Sequence, residues 1–383
     1  MEQVNRTVFT LGRQPGAEDR IRHDQEIVTR AVEKAVPEKQ MKGLILAGGY
    51  GRREGGYRKH GEKYFPMNDY DYFIVIDGSK EECLAFHEKL VHLGHELTRE
   101  VGVEVDFFVL RHAELPRLEY SLMYAELKWG HVVLLGDPLV LADMAPMPLE
   151  GLDLSEFSRL LMNRGSLLLL NSAALEKNEV KGFEAREEFA RYLDKAIVAC
   201  ADVRLAVAGT YNTSVLVRQE KLAELTWEGD QEFREDFHRA MDSRYGPEAI
   251  LIPEGQERAV LDRVVGQWLQ ALSHLETARL GSAPVWSSYA MPRVSKGQGR
   301  KGLLGIFRNL LVNIRDFGLK ESLKNIGWIR RYPRERLLSV LPGLLNPALE
   351  VPLDAQAKAL AVGGAQERDV LIKRYLELWG RYS

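Results

Sequence analysis

Cysteine is nearly missing: Cys83 and Cys200 are the only two in 383 residues. They stand far apart, with only His87 near the first, which excludes a disulfide framework, a zinc site and an iron–sulfur cluster and fits a reducing cytoplasm. Long apolar runs are missing too. None approaches the roughly 20 residues that a membrane helix needs, so no transmembrane segment is expected. The opening MEQVNRTVFTLGRQPG shows no basic-then-apolar leader, and a soluble, cytoplasmic protein is the expectation. Nor is one sign of charge in excess. With 52 Lys and Arg against 55 Asp and Glu, the net charge of -3 rules out a polycation built to coat nucleic acid. No internal repeat occurs.

What the chain does have is apolar content, 45% of its residues, enough for two or three globular units at about 150 residues each. Residues 18–36 carry Ile21, Val28, Ala31, Val32 and Ala35 at helical spacing and predict a helix closed by Pro37. MKGLILAG predicts a strand ended by Gly48 and Gly49, followed by a polar, charged stretch to Pro66. Further strands are expected at 70–77, 101–110 and 131–137, with helices over 79–100 and 113–129. This alternation predicts an α+β fold, a small mixed-sheet domain over 1–147. Three long helical patterns within 153–280 predict an α-helical domain over 148–282. A Gly, Ser and Pro-rich linker is expected over 283–300 and a basic helical region over 301–383. Between Ser295 and Arg336 stand eleven Lys or Arg and three Asp or Glu, a local charge of +8 that leaves the remainder at -11. GIFRNLLVNIRDFGL in this region is amphipathic, so an anionic partner (RNA, acidic lipid or a phosphorylated substrate) is one reading and a charged face over a helical core the other.

Chemistry concentrates between Leu44 and Asp77. A Gly48-Gly49 turn at a strand end aims backbone N–H groups at an anion without side-chain obstruction. Asp69 and Asp71 open the next apolar strand, where a period of two puts both carboxylates on one face. Asp106 lies inside the apolar VEVDFFVL, where an acid is unexpected unless a cation satisfies it, and Glu104 shares its face. Carboxylates about 4 Å apart repel by roughly 4 kcal/mol at an effective dielectric of about 20. A divalent cation removes that penalty, and hard oxygen ligands facing a phosphate-binding turn suit one or two Mg²⁺ ions bridging triphosphate oxygens.

The segments GLILAGGYGRREGG, NDYDYFIVID and VEVDFFVL resemble the nucleotidyltransferase domain of the DNA polymerase β superfamily. The run from Gly48 to Arg52 is similar to that of the bacterial protein-uridylylating enzymes. The helical domain expected behind it is similar to the arrangement of the aminoglycoside nucleotidyltransferases. The resemblance implies that Asp69 and Asp71 ligate the metals. Asp106 would ligate the catalytic metal and help deprotonate a hydroxyl acceptor, and Gly48 and Gly49 would hold the triphosphate of an NTP such as ATP. It implies transfer of a nucleoside monophosphate to a small molecule, a protein side chain or an RNA end, with release of pyrophosphate. Nineteen residues separate Gly49 from Asp69, more than that family usually has. They form either a phosphate loop, with Arg52, Arg53, Arg58 and Lys63 as anion contacts, or an insertion that displaces the glycines from the acids. Lys195 and Arg191, on a later helix, can reach a triphosphate, or else belong to a solvated face with a Glu187–Arg191 pair.

Two other readings stand beside this one. A catalytically silent module would bind a nucleotide or RNA as a regulator. LILAGGYGRRE also resembles the opening of the sugar-nucleotide pyrophosphorylases, with Lys63 in the place of their later Lys, and that reading needs a long parallel sheet. A dinucleotide fingerprint fails because Glu54 stands where the third glycine belongs.

Overall fold

A computed structural model describes residues 7–226, 230–292, 302–324, 326–363 and 367–382, and the chain divides into two units. The first takes in Met1–Leu152, Thr210–Thr226 and Met241–Ile250. The second takes in Asp153–Gly209, Trp227–Ala240 and Leu251–Ser383. Thus two stretches from within the span expected to be purely helical domain fold with the sheet.

In the first unit, helix α1 (Pro15–Ala35) starts three residues before the expected span of 18–36, with proline in the first turn and the Gln14 side chain accepting from the Gly16 amide. Strand β1 (Met41–Leu46) runs into one helical turn, α2 (Gly48–Gly51). The polar stretch after it holds what hydropathy does not reveal, a hairpin of β2 (Tyr57–His60) and β3 (Lys63–Pro66). Strand β4 (Tyr70–Ile76) leads into α3 (Lys80–Val101), which opens on a reciprocal Ser79–Glu82 capping box and closes on left-handed Gly102, φ +80°. Because α3 runs to Val101, strand β5 is shorter than its apolar run, Val105–Arg111. The single helix expected over 113–129 is divided. A 3₁₀ segment, His112–Arg117, contains Pro116, and a new helix α4 (Leu122–Trp129) restarts on a Ser121 cap. Strand β6 (Val132–Gly136) follows.

These strands form one four-stranded sheet in the order β5–β4–β1–β6, with β4 and β5 parallel and β1 antiparallel to both its neighbours. The long parallel sheet that a pyrophosphorylase-like fold requires is not what these strands build. Alternation divides the side chains between two faces. Leu44, Leu46, Tyr70, Tyr72, Ile74 and Phe107 pack with Ile21, Val28 and Val32 of α1 and Leu90 and Leu97 of α3. Ile45, Phe73, Val75, Leu110 and Val133 face a second cluster with Leu115, Ala125, Leu127 and Met144. On the first face Tyr70 donates to the buried Asp24 carboxylate and Tyr72 to Gln25, so each phenol of that core is satisfied.

The last segments of the first unit include α7 (Val215–Glu224), reached after α5 (Leu154–Glu176) and α6 (Gly182–Val207) of the second. Helix α8 (Asp230–Tyr245) and α9 (Glu257–Leu280) come next, and α5, α6 and α9 match the three long patterns in the sequence. They pack on buried Trp268, whose indole donates to the Leu161 carbonyl and against which a Cβ at Gly165 would come within 2.7 Å. The expected linker contains a short helix, α10 (Trp286–Tyr289), and its residues 293–300 lie outside the described residues. The region beyond is helical: α11 (Gly302–Phe317), α12 (Leu319–Lys324), α13 (Ile326–Ile329), α14 (Pro333–Leu345), α15 (Leu353–Leu360) and α16 (Arg368–Tyr382). Among the described residues no helix is long and apolar enough to cross a membrane.

Candidate active site

Parallel pairing of β4 and β5 starts both strands at one end of the sheet and sets Asp71 directly beside Asp106 in register. Adjacent strands lie about 4.8 Å apart, so the two carboxylates leave the same face as neighbours. Asp69, two residues before Asp71, adds its charge to both. Antiparallel β1 ends where β4 begins: the Ala47 amide donates to the Asp71 carbonyl at 2.8 Å, and the glycine turn follows at once. The trio of acids and the glycines therefore share one end of the sheet.

Gly48 is required there. Its φ is +62°, and a Cβ would lie 2.5 Å from Asp71 Oδ2. Gly49 has ordinary room, 3.6 Å from Asn68 Nδ2. The first intrahelical bond of α2 comes from the Gly51 amide to the Ala47 carbonyl, so Gly48, Gly49 and Tyr50 present amides with no partner inside the turn.

Burial and like charge together raise the carboxyls of this cluster. Burial pushes the Asp71 carboxyl up to about 7, Asp69 and Asp106 push the same way, and Arg52 opposes them. Asp106 is also raised, first by burial, then by Glu104 and Asp69, with His95 opposing. Among the described residues no group of three or more His, Cys, Asp and Glu side chains is drawn tightly enough to cage a metal ion. The donor set is nonetheless hard oxygen, charged and mutually repelling, and the missing Cβ of Gly48 leaves Asp71 Oδ2 open. Such a set suits Mg²⁺, which is commonly bound by one or two carboxylates plus substrate phosphates.

The nineteen-residue insertion does not separate glycines from acids. Buried Tyr50 holds it: its phenol donates to the Gly56 carbonyl at 2.7 Å and accepts from the Met67 and Asn68 amides at 3.0 and 3.2 Å. Both feet of the β2–β3 hairpin are thereby pinned beside α2, and its strands lie against α1, where Arg20 sits over the Phe65 ring, and against residues 246–247, where the Lys59 amide donates to the Pro247 carbonyl.

The basic candidates divide. Arg52 is held among carboxylates, its Nη1 3.6 Å from Glu126 and its Nε 3.9 Å from Glu54. Glu54 also accepts from the Ser214 hydroxyl and the Val215 amide, and Glu126 from Tyr211. Arg58 is buried and donates to the Gly246 carbonyl. Arg53 and Lys63 are exposed, Lys63 opposite His60 beside the hairpin turn. Lys195 lies on α6 and belongs to the second unit. On that helix Arg191 pairs with Glu188, three residues away, rather than with Glu187. Sequence reasoning missed Glu126, whose charge acts on Asp71 and which is joined to Tyr211 across 85 positions. No local pattern marks such a contact.

Scans of protein-family models, of curated proteins and of solved structures each found no match to this chain. Function must accordingly be argued from the geometry of these residues.

Proposed function

We propose that the first unit is a Mg²⁺-dependent nucleotidyltransferase that moves a nucleoside monophosphate from an NTP to a hydroxyl acceptor and releases pyrophosphate. The observation that carries this reading is the register that sets Asp71 beside Asp106, with Asp69 acting on both, at the sheet end where Gly48 leaves the Asp71 carboxylate uncovered. Asp69, Asp71 and Asp106 would hold the metal. Bound Mg²⁺ supplies charge neutralisation at the phosphoryl group and its leaving oxygens.

The chain's own residues do the rest. Amides of Gly48 and Gly49 bind triphosphate oxygens, and the lack of side chains lets the phosphates approach. Asp106, on the strand next to Asp71 and raised in pKa, accepts the proton of the attacking hydroxyl. Arg52, fixed by Glu54 and Glu126, tempers the negative field around Asp71.

Calorimetry with each NTP, with and without Mg²⁺, followed by incorporation of α-labelled NTP into acceptors from a cell extract, tests this. Mg²⁺-dependent binding and label transfer are expected, both lost in Asp69→Asn with Asp71→Asn; absence of Mg²⁺-dependent NTP binding would remove the proposal. The uncaged donor set favours a second reading, a nucleotide-binding regulator. In that case the double variant keeps its nucleotide, and the wild-type protein transfers no label.

A further inference from the structure

Helix α11 is built inside out. Its buried face repeats every fourth residue as Gly305, Asn309, Asn313 and Phe317, so two amides point inward where apolar side chains normally go. They are not idle. Asn313 Nδ2 donates to the carbonyls of Asn309, Ile329 and Arg331, at 2.7, 3.2 and 2.7 Å, and Asn309 Nδ2 donates to that of Arg330 at 3.1 Å. The carbonyls of residues 329–331 lie at and just past the end of helix α13 and need such donors. This polar lock fixes the rotation of α11.

The same rotation turns an apolar stripe outward. Ile306 is 42% exposed, Phe307 58% and Leu311 52%, with Leu310 and Ile314 half-buried along the same side. Arg308 and Arg315 are exposed on this helix, Lys320 on α12 and Arg330 on the turn after α13. The nearest acid, Asp316, is engaged by Arg315 and by the Tyr382 hydroxyl.

We infer that the outward face of α11 is a docking surface for an anionic lipid bilayer, with Ile306, Phe307 and Leu311 entering the acyl boundary and Arg308, Arg315 and Lys320 meeting the headgroups. An apolar stripe flanked by basic side chains is the pattern of a helix lying in a membrane interface. Two copies of the face would bring arginines against arginines, which disfavours self-association. Phe307 alone on this face is aromatic, too little to stack successive bases, which disfavours RNA. The inference is independent of the sheet-end carboxylates, since every residue in it belongs to the second unit.

Flotation of the full-length chain with vesicles tests it, comparing phosphatidylcholine alone with phosphatidylcholine containing about one third phosphatidylglycerol. Binding to the anionic vesicles is expected, falling as salt rises. Replacing two exposed apolar side chains, Phe307→Ser with Leu311→Ser, should weaken it more than about tenfold. Arg308→Gln should weaken it about fivefold. The circular dichroism melt should stay unchanged, because these side chains are exposed in the fold. Failure to float with anionic vesicles would overturn the inference, as would equal flotation by the double variant. Two further results would also overturn it, each with no vesicle binding: a concentration-dependent dimer abolished by the double variant, or capture of single-stranded RNA that the double variant retains.

Discussion

Asp71→Asn should stabilise the metal-free protein while abolishing its proposed activity. The Asp71 carboxyl is pushed up to about 7 from an ordinary 3.8, chiefly by burial and then by Asp69 and Asp106. An acid whose folded value is raised binds its proton more tightly in the fold than in the unfolded chain. Stability therefore falls as pH rises from about 4 through 7, and the full penalty stands above 7. The gap corresponds to about 4 kcal/mol at pH 8. Solvent at the open sheet end screens part of it, leaving about 2 kcal/mol. Asparagine keeps the shape and removes the charge, so the melting temperature at pH 8 in chelator should rise by about 4–8 °C for a unit of this size. The wild-type decline between pH 5 and 8 should flatten. Thermal melts at several pH values, with chelator and with Mg²⁺, make the measurement, and Mg²⁺ should raise the wild-type midpoint but not the variant's. An unchanged midpoint at pH 8, or the same pH dependence in both proteins, would refute the claim that these three acids crowd one another.

Gly48→Ala should cost about 1–2 kcal/mol from its left-handed backbone, with further loss from the clash with Asp71 Oδ2. Gly102→Ala, at φ +80° with nothing within 4 Å, should cost only the backbone part, and urea titration of the pair separates the two effects. Gly49→Ala should fold normally yet weaken NTP binding in calorimetry, because its added methyl meets the ligand rather than the protein. Tyr50→Phe leaves the Gly56 carbonyl and the Met67 and Asn68 amides without their phenol, a loss of about 2–4 kcal/mol. Limited proteolysis should then cut the hairpin over 57–66 much faster than in the wild type. Ser79→Ala removes one half of the capping box and should lower stability by about 1 kcal/mol in the same urea assay.

The helices and core strands were legible in the sequence because each carries its own local instruction. A Ser-x-x-Glu box and a following glycine bound α3, a proline opens α1, and apolar spacing alone delimits α5, α6 and α9. The acids were legible for a related reason: Asp106 stands out in an apolar strand, and Asp69 and Asp71 share a face by periodicity. Local pattern does not say which strands become neighbours. Only β4 pairing parallel with β5 decides that Asp71 meets Asp106, and only β1 pairing antiparallel with β4 decides that Gly48 arrives at the same end.

The insertion shows the other limit. Its hairpin has short, largely polar strands held by the phenol of Tyr50 and by contacts with α1 and residues 246–247, all outside it, so hydropathy could not reveal it. Composition likewise marks α11 as amphipathic but not which side turns inward. That depends on carbonyls sixteen to twenty-one residues further on, which take the donors of Asn309 and Asn313 and leave Phe307 and Leu311 facing out. Periodicity and capping act through neighbours in the chain, and the sequence alone determined what they govern. Which charges converge, and which apolar face stays bare, depends on pairings between distant segments, and these only the tertiary structure decided.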